Sequence, residues 1–291
     1  MTLFGKGEIP PAFSGYAGAR AVVLTVPYEG TVSYGRGTGR APAALLNASY
    51  FLEYYDETLN RRNYEAGIAT LPPLKAEKTP EKMVASVEKA CDRLVRDNKF
   101  IAMVGGEHSI SFGLYRALRK KYPDLSVLQI DAHGDLRDSY EGSPYSHACV
   151  MRRITASCRK TAQVGIRSIC AEEAAFIRKN KRPVYMARDI TGKTKWIPGM
   201  LKKLSRNVFV TIDIDGFDPS VVPHTGTPEP GGLGWYEGLN ILHKVFEKKN
   251  VVGFDLVELA SSPISRASDF LAAKLVYHLI GCKFKKILRT V

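Results

Sequence analysis

The stretch SVLQIDAHGD, residues 126–135, constrains the fold of this chain more than any other segment. Its apolar run predicts a buried β-strand, and Asp131, His133 and Asp135 follow at the carboxyl end of that strand. A spacing of two places side chains on one face of an extended strand, so we expect these three together. Histidine nitrogen and carboxylate oxygen suit a borderline or hard divalent metal ion. The alternative is a polar strand end that caps a helix.

A second apolar run, NVFVTIDID, repeats this arrangement with Asp213 and Asp215. We expect the two acids to share a face at the end of their strand, as in the first segment. Several carboxylates in one crevice would repel one another and take up protons if no cation were bound. Two divalent ions contribute four positive charges and match Asp131, Asp135, Asp213 and Asp215. The repeat therefore favours a two-metal site over a polar strand end.

Strands alternate with helices along the whole chain, which predicts an α/β fold with a largely parallel sheet covered on both faces. Predicted strands are 21–28, 100–106, 126–130, 161–166, 207–215 and 251–258, and predicted helices begin near Pro42 or span 80–97, 109–122, 170–180, 236–248 and 268–281. Glu107 and His108 follow the second of these strands, and Asp255 and Glu258 close the last. Parallel sheets bind ligands beyond the carboxyl ends of their strands, so we expect all these segments to converge there.

The chain of 291 residues, 45% of them hydrophobic, is long enough to bury one full core. We predict an N-terminal arm at 1–20, for which a subunit contact is one role, and a single domain at 21–291. No signal peptide and no membrane-spanning run is recognised, which predicts a soluble, cytoplasmic protein. The five cysteines are scattered, as expected of reduced thiols that pack in the core: Cys91, Cys149, Cys158, Cys170 and Cys282.

The formal net charge of +13 raises the question of a nucleic-acid or membrane-surface partner. The basic residues are dispersed in pairs along the chain and form no stripe interleaved with aromatic residues. Such pairs are typical of solvated helix ends. The glycines at 35, 37 and 39 lack both the dinucleotide fingerprint and a P-loop lysine. We therefore predict no nucleic-acid partner, no membrane partner and no organic cofactor.

Seven segments carry a family resemblance: GGEHS at 105, DAHGD at 131, SHACVMRR at 146, GIRS at 165, DIDGFDP at 213, TGTPEPGG at 225 and GFDLVE at 253. In this order they resemble the ureohydrolases, the arginase and agmatinase family, and TGTPEPGG looks most like the agmatinase branch. The resemblance implies a three-layer α/β/α sandwich with two Mn²⁺ ions per chain. It also implies a homo-oligomer, a trimer or a hexamer.

Carried over residue by residue, the resemblance implies two overlapping ligand sets. His108, Asp131, Asp135 and Asp213 would hold one ion, and Asp131, His133, Asp213 and Asp215 would hold the other. Asp131 and Asp213 would bridge the two ions.

The resemblance also implies roles in catalysis for His147, Asp135 and Glu258. A metal-bridging hydroxide would attack the guanidinium carbon, His147 would shuttle a proton to the leaving amine, and Asp135 would relay the hydroxide proton. Glu258 would accept hydrogen bonds from the guanidinium. The alternatives are a packed or surface histidine at 147 and a loop cap at 258. His243 and His278 lie within predicted helices, where we expect structural roles.

Agmatine, cleaved to urea and putrescine, is the predicted substrate, because Glu258 with Glu172 or Glu173 favours a cation at both ends of a small guanidino compound. Arg137, Ser139 and Ser143 stand against it, since they suit a substrate carboxylate. The alternatives are therefore an arginase, a guanidinobutyrase, a formiminoglutamase or an aminopropylagmatine ureohydrolase. A two-metal phosphoesterase is disfavoured because its GDxxD element is missing. A non-catalytic binding member of the fold is disfavoured because no predicted ligand is lost.

Overall fold

Eight β-strands form one sheet in the computed structural model, which describes residues 2–288. The strands are β1 (Ala21–Val26), β2 (Ile68–Thr70), β3 (Phe100–Gly105), β4 (Ser126–Ile130), β5 (Thr161–Ile166), β6 (Val184–Met186), β7 (Asn207–Asp213) and β8 (Asn250–Val257). Their spatial order is β2-β1-β3-β8-β7-β4-β5-β6, and every pair of neighbours is parallel. The predicted parallel α/β fold is confirmed. Met1 of the predicted arm and residues 289–291 of the predicted domain lie outside the described residues.

Helices cover both faces of the sheet and give the three layers. They are α1 (Ala41–Ala48), α2 (Pro80–Arg96), α3 (Ser111–Lys121), α4 (Val150–Ser157), α5 (Ala171–Asn180), α6 (Ala187–Ile190), α7 (Ile197–Lys203), α8 (Trp235–Lys248) and α9 (Ala267–Phe284). One core cluster packs α1 and α6 to α9 on the first face, and a second packs α2 to α5 on the other. No helix among the described residues is long and apolar enough to cross a membrane.

Local sequence explains where the best-predicted helix begins. Thr79 is the N-cap of α2, with its hydroxyl accepting a hydrogen bond from the Lys82 N–H, and Pro80 occupies the first helical position. The helix buries its apolar stripe, which includes Met83 and Val87, against the sheet. Capping and periodicity thus agree on the same start.

Several predictions about element ends are corrected by the structure. The strand predicted to reach Asp215 ends at Asp213, and the strand predicted to reach Glu258 ends at Val257. Asp255 lies inside β8, where its carboxylate accepts a hydrogen bond of 2.7 Å from the Thr211 hydroxyl, so the prediction that it closes the strand at its carboxyl end is wrong. The edge strands β2 and β6, of three residues each, and helices α4, α6 and α7 were not predicted.

Residues of the predicted arm pack against this chain's own core. Phe4 is buried beside the sheet, and its N–H donates a hydrogen bond of 2.9 Å to the Thr70 hydroxyl in β2. Ile9 belongs to the same core cluster. This part of the arm is therefore held by intramolecular contacts.

The strand order explains how distant segments can meet. The central four strands, β3, β8, β7 and β4, are neighbours in the sheet. They are the strands followed by His108, Glu258, Asp215 and Asp131 in the sequence. Because all four run in the same direction, their carboxyl ends lie along one edge of the sheet.

Candidate metal centre and active site

Four acids and two histidines meet at the carboxyl ends of the central strands. The ligand atoms form two groups, and within each group they lie within 4.8 Å of one another. One group is His108, Asp131 and Asp213, and the other is Asp131, His133 and Asp215. Asp135 joins the first group, because its Oδ2 lies 3.0 Å from His108 Nδ1. All six residues predicted as metal ligands are therefore brought together.

The orientation of the His108 ring is fixed from behind. The Thr211 hydroxyl donates to Asp255 at 2.7 Å, so its oxygen is free to accept the Nε2–H of His108 at 2.8 Å. This leaves the Nδ1 lone pair facing carboxylate oxygens of Asp131, Asp135 and Asp213 at 3.2, 3.0 and 3.4 Å. Within the described part of the chain, buried Nδ1 has no hydrogen-bond partner. A lone pair and three carboxylates directed at one point are what a cation requires.

Asp131 lies between the two groups. Its Oδ2 faces His108 Nδ1 at 3.2 Å, whereas its Oδ1 faces His133 Nδ1 at 3.6 Å. The Gln129 side-chain amide donates to Oδ2 at 2.6 Å, and the backbone N–H of His133 donates to Oδ1 at 2.6 Å. On its far side, His133 Nδ1 lies 2.9 Å from Asp215 Oδ2. Asp131 thus contacts both histidines.

The predicted reason for this convergence, alternation along a strand, is wrong. Strand β4 ends at Ile130, and Asp135 has a left-handed backbone with φ 52°. Asp215 lies in a 3₁₀ turn at 214–216 rather than on β7. A Cβ at Gly216 would come within 2.8 Å of the Asp131 nitrogen, so the close approach of the two loops depends on this glycine. Tight turns after the strands, not the pleat, direct the ligands.

Electrostatics show that the protein groups alone do not balance the charge of this site. Burial and the charge of Asp131 raise the pKa of the Asp135 carboxyl to about 7. Burial and the charges of Asp215 and Asp131 raise the pKa of Asp213 well above its usual range. Divalent cations remove this penalty, because they favour the ionised carboxylates. Two such ions fit the donor set.

His147 lies beside the cluster without facing its carboxylates. Its Nδ1 is 3.1 Å from the Thr31 hydroxyl, and its Nε2 is 3.2 Å from the Ser33 hydroxyl. The Ser33 hydroxyl in turn donates to the Tyr140 hydroxyl at 3.3 Å. Burial is the largest cause that lowers the pKa of His147 to about 4. The ring is therefore neutral at pH 7, with one protonated nitrogen and one lone pair.

Glu258 enters the site from the first residue after β8. It adopts a left-handed backbone with φ 62°, and its Oε1 accepts the His108 N–H at 2.6 Å. Burial and the charge of Glu107 raise the pKa of Glu258 well above its usual range. A guanidinium beside it would restore the ionised form and donate hydrogen bonds to it.

Sequence reasoning missed the loop after β1, which supplies Thr31 and Ser33. Buried Glu107 holds this loop, since its Oε2 accepts the N–H groups of Gly30 and Thr31 at 2.6 and 2.5 Å. Its Oε1 accepts the Thr31 hydroxyl at 2.8 Å. The available signal was positional: this loop also follows the carboxyl end of a strand, like the loops that carry the acids.

Glu172 and Glu173, the acids of α5 predicted to favour a substrate cation, differ in their surroundings. Glu173 caps α5 through the Cys170 N–H at 2.8 Å, and its other oxygen accepts the Leu136 N–H at 2.8 Å. Glu172 is exposed in the first turn of the same helix. Arg167, of the GIRS segment, donates to the backbone carbonyls of Asp215 and Glu229 at 2.7 Å each and braces the loop after β7.

Comparison with known proteins identifies the family. The profile of the arginase family matches residues 19–282. The chain belongs to the arginase family. An N(1)-aminopropylagmatine ureohydrolase from Synechocystis sp. is 45% identical over 278 residues, 93% of this chain and 91% of its own. An agmatinase from Pyrococcus horikoshii is 34% identical over 265 residues, 89% of this chain and 90% of its own.

The crystal structure of agmatine ureohydrolase of Thermoplasma volcanium superposes with a TM-score of 0.86 at 34% identity, covering 95% of this chain and 94% of that chain. The chain is therefore a ureohydrolase, an enzyme that acts on guanidino substrates. The arginase family depends on two metal ions, and this member carries two candidate groups to hold them.

A cavity of about 320 Å³ leads from these groups to the surface of the ureohydrolase. His133, Asp213 and Glu258 line the cavity, as do Tyr34 and Tyr140. Its size suits a small extended molecule.

Proposed function

We propose that this ureohydrolase cleaves N(1)-aminopropylagmatine to urea and the triamine spermidine. The observation that carries the proposal is the 45% identity, over nearly the whole chain, to a ureohydrolase named for that substrate. The predicted substrate agmatine is the second candidate. It is favoured by the agmatinase from Pyrococcus horikoshii and the agmatine ureohydrolase of Thermoplasma volcanium, each 34% identical.

In this proposal, the two groups at the strand ends would hold two Mn²⁺ ions, with Asp131 common to both groups and Asp213 shared as the family resemblance implies. Carboxylate oxygen and imidazole nitrogen suit Mn²⁺ better than thiolate-preferring metals. When bound, the two ions supply a hydroxide at neutral pH by lowering the pKa of water from 15.7 to about 7. Thr211 and Gln129 keep His108 and Asp131 directed at the ions.

Glu258 and His147 would have different roles: Glu258 would bind the guanidinium, and His147 would transfer a proton. Glu258 is buried among the metal ligands, so its ionised carboxylate can hold the guanidinium by charge-assisted hydrogen bonds. The bond from the guanidinium carbon to the alkyl nitrogen breaks, and that nitrogen must gain a proton to leave. Neutral His147, linked through Ser33 to Tyr140, can take a proton at one step and return it at another. Asp135, which contacts His108, would receive the proton that the attacking water loses.

The choice between the two substrates concerns the end remote from the guanidinium. N(1)-aminopropylagmatine carries a secondary and a primary ammonium there, whereas agmatine carries one primary ammonium. Tyr34 lines the cavity and is 82% exposed, so its ring face is open to a cation. The substrates of an arginase or a guanidinobutyrase would instead place a carboxylate in this crevice, where the lining acids outnumber Arg137.

A substrate panel tests the proposal. We would measure kcat/KM under Mn²⁺ for N(1)-aminopropylagmatine, agmatine, arginine and guanidinobutyrate by released urea, and for formiminoglutamate by released formamide. We expect N(1)-aminopropylagmatine to exceed agmatine at least tenfold, or about 1.4 kcal/mol of transition-state discrimination. Equal or better use of agmatine would make the enzyme an agmatinase. Preference for arginine or guanidinobutyrate would contradict both candidates while leaving the family assignment intact.

Three further expectations belong with this proposal. We propose that residues 21–291 form a single domain with residues 1–20 as its arm, that the enzyme is a trimer or hexamer, and that it acts in the cytoplasm on a polyamine precursor. Light scattering after gel filtration would measure the oligomeric mass directly.

A further inference from the structure

A further group of metal-ligand side chains, apart from the two in the candidate active site, lies at the opposite end of the sheet. It consists of His243 in α8 with His278 and Cys282 in α9, and their ligand atoms lie within 4.8 Å of one another. His243 and Cys282 line a cavity that also contacts Arg206 and Asn250, where β7 and β8 begin. The acids of the candidate active site lie beyond the other ends of these strands. This further group is therefore separated from the candidate active site by the length of the sheet.

The histidine tautomers in this cluster follow from Asp56. The Nδ1–H of His278 donates to Asp56 Oδ2 at 2.7 Å, which leaves the lone pair of His278 on Nε2. That single lone pair faces two neighbours, since His243 Nε2 lies 2.5 Å away and Cys282 Sγ lies 3.5 Å away. One acceptor orbital cannot serve a ring N–H and a thiol S–H equally well. A cation in place of the two protons would satisfy all three ligand atoms at once.

Asp56 is itself held firmly, so it can orient His278. Its Oδ1 accepts the Leu59 N–H at 2.9 Å, and its Oδ2 also accepts the Asn63 side-chain amide at 2.8 Å. Although burial opposes its charge, the hydrogen bond from His278 contributes to lowering the pKa of Asp56 below its usual value. A carboxylate that fixes the tautomer of a histidine in this way is the usual support of a metal ligand.

The ligand geometry matches a small tetrahedral ion after a modest adjustment. Zinc bonds of about 2.05 Å to nitrogen and 2.3 Å to sulfur place tetrahedral ligands about 3.6 Å apart for N and S and about 3.3 Å apart for N and N. The Cys282–His278 distance of 3.5 Å already fits. The His243 ring must withdraw by about 0.8 Å. It can do so because it is only half-buried, at the edge of the cavity.

Charge also balances in this cluster despite its cationic surroundings. Lys244, Lys285 and Arg61 line the same cavity. A divalent ion with neutral His243 and His278, the Cys282 thiolate and the Asp56 carboxylate has no net charge. Binding exchanges one proton for a divalent ion and so raises the net charge of the cluster from −1 to zero. The nitrogen and sulfur donors favour a borderline or soft ion over the hard ions suited to the carboxylate-rich site.

We propose that His243, His278 and Cys282 bind one Zn²⁺ ion per chain, with the fourth position open to the cavity. On binding, the S–H bond of Cys282 breaks, a zinc–sulfur bond forms and one proton passes to solvent, while His243 moves its ring proton from Nε2 to Nδ1 through solvent and binds zinc through Nε2. The ion links α8 to α9, and through Asp56 it links both to the segment before β2. Neither the metals nor the substrate of the active site enter this inference.

Cobalt substitution reads this site selectively, because a thiolate-to-Co²⁺ charge-transfer band arises only where a thiolate is bound. The Mn²⁺-loaded enzyme is titrated with Co²⁺ while its near-ultraviolet absorption is recorded. We expect the band to saturate at one Co²⁺ per chain and to be displaced by Zn²⁺. Cys282→Ser abolishes it, and His243→Gln, in which the thiol is intact, weakens Co²⁺ binding by at least about 100-fold.

Cys158→Ser is the matched control. Cys158 is a buried thiol that contacts the backbone carbonyls of Leu125 and Lys160, bonds that a serine hydroxyl can keep. This variant retains the charge-transfer band and the release of urea. In wild type, Zn²⁺ at a hundredfold excess over its Kd raises the Tm by about 4 °C, whereas Cys282→Ser shows no shift. Absence of a band in wild type, or a band of full intensity in Cys282→Ser, overturns the proposal.

Discussion

The two ends of the sheet use different scaffolds to gather metal ligands. At the carboxyl end, loops after four strands bring together oxygen-rich groups from distant segments, as between His108 and Asp213. At the amino end, one turn of α9 spaces His278 and Cys282, and His243 comes from the adjacent α8. Loops can direct short carboxylates inward, whereas a helix sets its ligands four residues apart. The local backbone at each end therefore determines how the ligand side chains are spaced and directed.

Charge separates the two ends as well. Lysines and arginines, among them Arg206, Lys244 and Lys248, surround the amino-end cavity, whereas acids line the carboxyl-end crevice. Screening over about 8 to 10 Å in physiological salt keeps the distant cations from opposing a cationic substrate. The net charge of +13 therefore agrees with a guanidino substrate.

Among single changes that leave both metal ions bound at the carboxyl end, the largest expected effect is on proton transfer. His147→Ala should keep both metal ions while turnover falls by a factor on the order of 10² to 10⁴, the usual contribution of a positioned acid or base. Metal analysis with urea release measures the two effects separately. Added imidazole should restore part of the turnover. Loss of metal would instead make His147 a ligand, and unchanged turnover would show that the proton takes another route.

Loss of the Thr211 hydroxyl, which orients His108, should weaken metal binding less than loss of His108 itself. Thr211→Val removes the hydroxyl that fixes the His108 tautomer but keeps the shape of the buried side chain. We expect the affinity for the ion held by the group that contains His108 to fall by about 10- to 100-fold, as for other residues that orient a metal ligand. A Mn²⁺ titration of urea release measures it. Unchanged affinity would contradict the tautomer argument.

At the amino end, the expected effect is on stability rather than on turnover. Asp56→Asn weakens the bond to His278 and should lower the free energy of unfolding by about 1 to 2 kcal/mol at pH 7 in metal-free buffer. Because the pKa of Asp56 is lowered by folding, its contribution is fully present above the unfolded value of 3.8 and lost as pH falls through the lower, folded value. Denaturant unfolding of both proteins at several pH values measures the difference. A difference that grew on acidification would contradict the assignment.

The smallest expected effect concerns substrate choice at the mouth of the cavity. Tyr34→Ala should lower kcat/KM for N(1)-aminopropylagmatine about two- to fivefold, as for an exposed cation–π contact of about 0.5 to 1 kcal/mol, and affect agmatine less. Tyr236, 80% exposed at the start of α8, is the matched control. Equal losses for both substrates would show that Tyr34 does not distinguish them.

Sequence reasoning was strong for the strands and weak for the loops at their carboxyl ends. Apolar runs located β4 to its last residue, and the order of motifs indicated the family. The backbone turns that direct Asp135 and Asp215 were not visible, because φ of 52° at an aspartate and a 3₁₀ turn leave no periodic signal. The contact of Thr31 with His147 joins residues 116 positions apart, which one sequence cannot show.

The amino-end cluster shows the same limit. His243 and His278 were correctly placed in helices, but their meeting depends on how α8 packs against α9. Asp56, which orients His278, lies 222 positions away in sequence. Helical periodicity therefore predicted the elements and gave no indication of the cluster.

The central claim is that shared carboxylates at the strand ends hold two metal ions that are needed together. Its most direct test is a Mn²⁺ titration of metal-free enzyme, monitored in parallel by urea release and by electron paramagnetic resonance. We predict a spin-coupled signal from two neighbouring ions that grows in step with activity up to two ions per chain. Asp213→Asn should lose both signal and activity, and the exposed surface variant Asp189→Asn should keep both. Full activity in chelator-treated enzyme, or with one isolated ion per chain, would contradict the account.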